Sequence, residues 1–303
     1  MSEPSLSQIS PVRRLPPELV IIILAHLNGP GAKRDLLSCS FVSRDWCSAS
    51  RIFLFEELSF TVNEPADVSG DLHLVSTRSG NLRDLLTFLN LSPHLCPYVH
   101  TLHLHAPVGS HQQLEDDQYP NVDPTTLARI LRKLPLLDSL DLYDILFLPE
   151  HYFTWKQDEF DYPGNLQQLS IRFGSRAGEI DSFDDALHLL EIFSGEIREL
   201  CLSTIYAVRL RIPNTQSLRR LRIGSLVIDE VTDIGPLVHA VSMSPSIWSK
   251  TLTSIYLSWI NMKDLRSAEG LLDSIKDSLI NFGCNLFPLL DSKPAGESTQ
   301  QLP

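Results

Sequence analysis

Six segments of the chain repeat one rhythm of apolar positions. The triplets are Val99, Leu102, Leu104; Leu137, Leu140, Leu142; Leu166, Leu169, Ile171; Ile197, Leu200, Leu202; Leu218, Leu221, Ile223; and Leu252, Ile255, Leu257. The last two members of each triplet alternate. Successive side chains of a strand point to opposite faces, so this pair predicts a short strand with one face inward. Between these segments lie stretches of helical period, clearest at residues 81–92, 123–134 and 183–194 and weaker at 234–244 and 264–280. Asp123-Pro124 predicts a helix start, with a carboxylate cap and a proline in the first turn. Strands alternating with helices at roughly 20–35 residues predict a parallel sheet built from repeats.

The pattern before residue 60 is different. Leu15 to Leu27 reads LPPELVIIILAHL, with Leu19 to Ala25 apolar without a break. Prolines are tolerated in a first helical turn, and Glu18 suits the positive end of the helix dipole. Asn28-Gly29-Pro30-Gly31 predicts the stop. Successive helix residues turn by about 100°, so this run covers the whole circumference and predicts a helix buried on every side. Asp35 is the expected N-cap of a second short helix carrying Leu36, Leu37, Cys39 and Val42. Ser43 is the expected cap of a third, carrying Trp46, Ala49 and Ser50. Three short helices make only a thin core, and a module of that size needs a metal, a disulfide or a partner. With no metal motif or paired cysteines visible, a partner surface is the remaining option.

These residues carry a resemblance. Leu15, Pro16, Glu18, Leu19; Ile23, Leu24, Leu27; Asp35, Leu36, Leu37; and Val42, Ser43, Arg44, Trp46 together resemble the F-box, a three-helix module. The loop NGPGAKR is looser than in many F-boxes. The resemblance implies docking on the Skp-type adaptor of a cullin–RING ubiquitin ligase, with Leu15, Pro16, Leu19, Ile23, Leu36 and Leu37 among the adaptor contacts and Trp46 as internal packing. The later segments resemble degenerate leucine-rich repeats, since no Asn or Cys follows the strands to form a side-chain ladder. The fold class expected is α/β: a small N-terminal three-helix F-box followed by an irregular leucine-rich-repeat-like α/β solenoid, with an irregular α/β or α+β domain as the rival. The expected division is a disordered tail at 1–12, the F-box at 13–60, the repeat domain at 61–290 and a second tail at 291–303. This layout resembles that of substrate receptors in large fungal families. Its concave face is expected to present His103, His105, Asp141, Tyr143, Ser170, Arg172, Arg220, Arg222 and Tyr256 to a target protein.

Composition changes this picture little. The chain has 303 residues, 43% of them hydrophobic and 20% charged, which is enough apolar material for a sizeable core. A formal net charge of -12 disfavours general nucleic-acid binding, which needs clustered Lys and Arg. No apolar run approaches the ~20 residues of a membrane span, and the first dozen residues lack a signal-peptide pattern. The five cysteines are scattered and are expected to be reduced thiols of an intracellular, cytoplasmic or nuclear protein. No phosphate loop, dinucleotide fingerprint, HExxH or nucleophile turn is present. His103 and His105 share one side of a strand, with His111 near, but lack the further ligands of a metal site. The acids at 115–117 and at 181, 184 and 185 read as solvated charge. No catalytic residue, metal or cofactor is expected. The function expected is therefore non-catalytic: the substrate-recognition subunit of an SCF-type ligase, or alternatively a scaffold that binds the adaptor without driving ubiquitination. A hydrolase or transferase would instead need a polar pocket of convergent titratable groups.

Overall fold

Helix α1 (Pro17–Leu27) begins where the Pro16 carbonyl accepts from the N–H groups of Leu19 and Val20. The computed structural model describes residues 15–27, 29, 32–62, 77–106, 121–147, 162–173, 189–190, 192–204, 222–229, 251–260 and 262–286. The expected tails, most of the insert at 147–164, the helix expected at 234–244 and most of that at 183–194 lie outside these residues, as do Arg220, His111 and the acids at 115–117, 181, 184 and 185.

Helix α2 (Lys33–Ser40) starts earlier than the sequence predicts. Its cap is Ala32, which makes no side-chain bond, and Asp35 falls in the first turn instead. The chain is already winding there, because Ala32 N–H donates to Gly29 and Asp35 N–H to Ala32. Helix α3 (Arg44–Phe55) is capped as predicted, with an extended Ser43 accepting from the Trp46 N–H at 3.3 Å. Val20, Leu24, Leu36 and Ala49 form the small core of this module, and Cys39, Trp46, Phe53 and Leu54 pack around it.

Only Glu56 separates α3 from strand β1 (Glu57–Val62). Then come β2 (Thr77–Gly80), α4 (Leu82–Leu91), a short 3-10 turn (Cys96–Tyr98), β3 (Thr101–His105), β4 (Asn121–Val122), α5 (Pro124–Lys133), β5 (Ser139–Tyr143), β6 (Leu146–Phe147), β7 (Leu166–Arg172), β8 (Glu196–Ser203), β9 (Arg222–Asp229), β10 (Ser254–Ile260), α6 (Met262–Ile275) and β11 (Asn281–Leu286). Asn81 and Asp84 form a reciprocal capping box on α4, and Asp123 caps α5 through Thr125 N–H as its sequence predicts.

Nine strands form one sheet in the order β2-β1-β3-β5-β7-β8-β9-β10-β11, every neighbouring pair parallel. β2 and β3 flank β1 on opposite sides; from β3 onward each strand lies beside the preceding strand of the sheet, stepping the same way. β4 and β6 pair separately.

The register aligns the apolar positions into continuous rungs. One runs Leu58, Leu102, Leu140, Leu169, Leu200, Leu226, Ile255; the next runs Phe60, Leu104, Leu142, Ile171, Leu202, Ile228, Leu257. All except the half-buried Leu58 are buried, as are the leading residues Val99, Leu137, Leu166, Ile197, Ile223 and Leu252. Residues from α4, α5 and α6 join the same core: Leu85 and Leu89, Leu127 and Ile130, Leu271 and Ile275.

One triplet is corrected. The segment from Leu218 to Ile228 contains two overlapping frames of the same rhythm, 218-221-223 and 223-226-228. The strand uses the second, pairing Ile223 with Ile197, Leu226 with Leu200 and Ile228 with Leu202. The second frame brings Val227 and Ile228 into the strand, whereas the first would run it through Arg219 and Arg220. β-branched residues suit a pleated surface better. Gly224 also permits a close approach: a Cβ there would sit 3.0 Å from the Arg198 carbonyl oxygen.

Candidate docking surfaces

The apolar helix α1 is buried on one side only. Val20 and Leu24 point into the small core, while Leu15, Leu19, Ile21, Ile22, Ile23 and Leu27 are exposed. Ile22, on the opposite side of the helix from Val20 and Leu24 at about 100° per residue, is 52% exposed. The expectation of burial all round is thus not met within the chain. Phe41 and Val42, in the turn between α2 and α3, are 82% and 66% exposed. Single exposed apolar residues are ordinary; this many on one three-helix module are not. Of the residues the F-box resemblance points to, Leu15, Pro16, Leu19 and Ile23 lie on the surface and Leu37 is half-buried. Leu36 is 0% exposed and belongs to the core, so it supports the surface from beneath rather than forming it. Ile22 and Phe41 were not singled out by the sequence, although the unbroken apolar run already contained Ile22; Val42 was expected on the second helix and among the F-box residues, and lies in the turn just beyond α2.

The second surface is the polar face of the sheet. Its middle rung reads Ser59, His103, Asp141, Ser170, Cys201, Val227, Tyr256, and the rung at the strand exits reads Thr61, His105, Tyr143, Arg172, Ser203, Asp229, Ser258. Seven residues expected on this face therefore share two adjacent rungs. Arg222 does not join them: it stands at the entrance of β9, opposite Glu196, because of the frame correction above. Cys201, Ser203, Val227 and Asp229 occupy rung positions that the sequence reading passed over, and the correct frame of β9 would have found the last two.

His103 and His105 on this face, and His100 just before β3, each meet a polar side chain of a neighbouring segment. His100 Nδ1 lies 2.9 Å from Asp138 Oδ2, His103 Nδ1 3.4 Å from Asp141 Oδ2, and His105 Nε2 2.8 Å from Thr61 Oγ1. The bond from His103 holds the Asp141 carboxyl below its usual range; burial opposes this, while Ser170 and Arg172 assist it. The Ser170 hydroxyl is near enough to favour the carboxylate, yet neither its Oγ nor Asp141 Oδ1 completes a hydrogen bond. Burial, then the neighbouring His103, pushes the His105 pKa down against the pull of Asp141.

His103, Asp141 and Ser170 sit side by side, but in the wrong order for nucleophilic catalysis. A serine nucleophile needs the imidazole between itself and the carboxylate, and here the carboxylate is in the middle. Burial, then Glu199, pushes the Cys201 thiol up; Asp229 and Asp141 add to this and only Arg172 opposes it. Such a thiol stays protonated and is a poor nucleophile. Among the described residues no group of three or more His, Cys, Asp or Glu could hold a metal ion, and no helix is long and apolar enough to cross a membrane.

Comparison with known families assigns residues 12–61 to an F-box-like domain. That interval contains α1, α2, α3 and most of β1. No curated protein matches the chain significantly.

Proposed function

We propose that this protein is the substrate-recognition subunit of an SCF-type cullin–RING ubiquitin ligase. F-box domains typically bind Skp-type adaptors. The observation that carries the reading is the uncovered face of α1, where Leu19, Ile22 and Ile23 lie open beside a core too small to enclose them. Burying such a face on a partner recovers hydrophobic free energy that the isolated module forgoes.

The sheet then serves as the receptor for a target protein. From β3 on, its strands follow one another in one direction, with apolar rungs inside and a polar face outside. This supports reading it as a degenerate leucine-rich-repeat solenoid whose polar face, including His103, Asp141, Tyr143, Arg172 and Tyr256, meets the target. The protein itself forms no bond. It raises the local concentration of target lysines near a ubiquitin-loaded enzyme, a gain in effective molarity rather than in chemistry. A cytoplasmic or nuclear location follows from this role.

Co-expression with a Skp-type adaptor, followed by size-exclusion chromatography, tests the reading. A one-to-one complex is expected, with the chain alone prone to associate through α1. A stable monomer that ignores the adaptor would overturn it.

A further inference from the structure

The last strand of the sheet is left uncovered. On β11, Phe282 and Cys284 continue the two apolar rungs, paired with Ile255 and Leu257 of β10. Further into the sheet those rungs are buried, yet Phe282 is 48% exposed and Cys284 is exposed as well. Ile280, just before the strand, is 77% exposed. The strand itself is firmly held. The N–H groups of Ile280 and Asn281 both donate to the Thr253 carbonyl, the Ser278 hydroxyl donates to that of Leu252, and Leu279 packs against the core.

Chain order indicates what belongs on this open side. Crossovers between parallel neighbours keep one hand, so the segment leaving each strand passes to the same face of the sheet. The segment leaving β10 is α6, and it brings Ala268, Leu271 and Ile275 into the core. The segment leaving β11 begins Phe287-Pro288-Leu289-Leu290, beyond the described residues, and turns polar at Asp291-Ser292-Lys293. Three large apolar side chains thus follow a strand whose apolar side is open. Four residues of extended chain reach about 13 Å, which is the length of β11 from Leu286 back to Phe282. Area favours this occupant over a second copy of the chain. A phenylalanine buries about 150–250 Å² in full, so half-exposed Phe282 with Ile280 and Cys284 offers on the order of 300 Å², against roughly 800 Å² per partner in a standard interface. A tethered segment needs far less, because its effective concentration is already high.

We propose that residues 287–290 fold back across the apolar side of β11 and cap the end of the sheet. The cap covers Phe282 and Cys284 and closes a core that the last strand alone leaves open, as the terminal units of stacked repeats do. The inference is independent of the ligase reading.

Alkylation of the native full chain with iodoacetamide tests it, read by mass spectrometry on the peptide that carries Cys284. Cys284 is expected to react at least about fivefold more slowly than in a variant combining Phe287→Ser, Leu289→Ser and Leu290→Ser. A variant combining Asp291→Ser, Lys293→Ser and Glu297→Ser, just beyond the cap, should react like the parent. Buried Cys96 reports folding in the same digest; where the triple cap variant exposes it, Leu289→Ser alone takes its place. Equal rates at Cys284 in the parent and the cap variant would overturn the proposal. So would protection that survives the cap substitutions and falls on dilution, the mark of a second copy. Adaptor binding plays no part in this readout, so its outcome and that of the ligase reading stay separate.

Discussion

Replacing Ile22 with aspartate separates a docking residue from a core residue. The side chain is 52% exposed in the chain, so docking has about half of it left to bury. Complete burial of an isoleucine is worth ~1.5–3 kcal/mol, which leaves about 1 kcal/mol for adaptor binding. Ile22→Ala should therefore weaken the complex only about fivefold. Ile22→Asp adds an unpaired carboxylate facing an apolar partner, a penalty of several kcal/mol, and should weaken it by more than about a hundredfold. The same substitution leaves a solvated carboxylate in the free chain, so its unfolding temperature should change by no more than a few degrees. Leu19→Asp and Ile23→Asp should behave alike, without loss of target binding. Titration calorimetry against the purified adaptor and a thermal melt of each variant provide the two readouts. An Ile22→Asp variant that melts normally and binds within twofold of the parent would refute the assignment of this face.

Leu36→Ala should act through the fold instead, lowering stability by about 2–5 kcal/mol in chemical denaturation, because it opens a cavity at a fully buried position. Gly195→Ala should destabilise by ~2 kcal/mol or more, since the new Cβ would run into the Gly164 backbone oxygen. The pKa of His105 is lowered in the folded state, so below about pH 6.5 the unfolded chain takes up a proton that the folded chain resists. Stability should accordingly fall as pH drops from 6.5 toward the folded pKa, and His105→Gln should flatten that part of a melting-temperature profile. Asp141 is shifted down, so its contribution is present above about pH 4 and is lost as pH falls through its lower folded value; Asp141→Asn should remove this acid-side loss.

Much of the fold was legible because its period is simple. Five of the six triplets land on the rungs where alternation placed them, and Ser43, Asn81 and Asp123 are helix caps of the residue types that favour caps. The failures have local causes. At β9 two frames of one rhythm overlap, and apolar counting alone cannot choose between them; the arginines and the valine–isoleucine pair decide it. At α2 the helix begins on backbone turns from Gly29 rather than on a side-chain cap, a start that propensity does not announce. At the docking surface the sequence identified the helix but not its orientation. A run apolar at every position gives no moment, so only packing distinguishes Val20 and Leu24 from Ile22.

The two surfaces are mechanically joined, and this bears on how a receptor of this kind would work. Glu56 alone lies between α3 and β1, and its carbonyl accepts from the N–H groups of both His100 and Thr101 at 2.9 Å. Lys33 Nζ, at the start of α2, donates to the Glu57 carbonyl at 3.4 Å. The first two sheet neighbours are thus tied to the end of the three-helix module by backbone bonds rather than by a linker. A short bonded joint costs little further entropy to hold, whereas a free linker samples many orientations. Strand β8, in the middle of the polar face, lies four strand spacings or roughly 20 Å across the sheet from β1. A target held there keeps a set distance from whatever covers α1. The lysines such a ligase could reach would then be chosen by geometry, with no chemistry required of this chain.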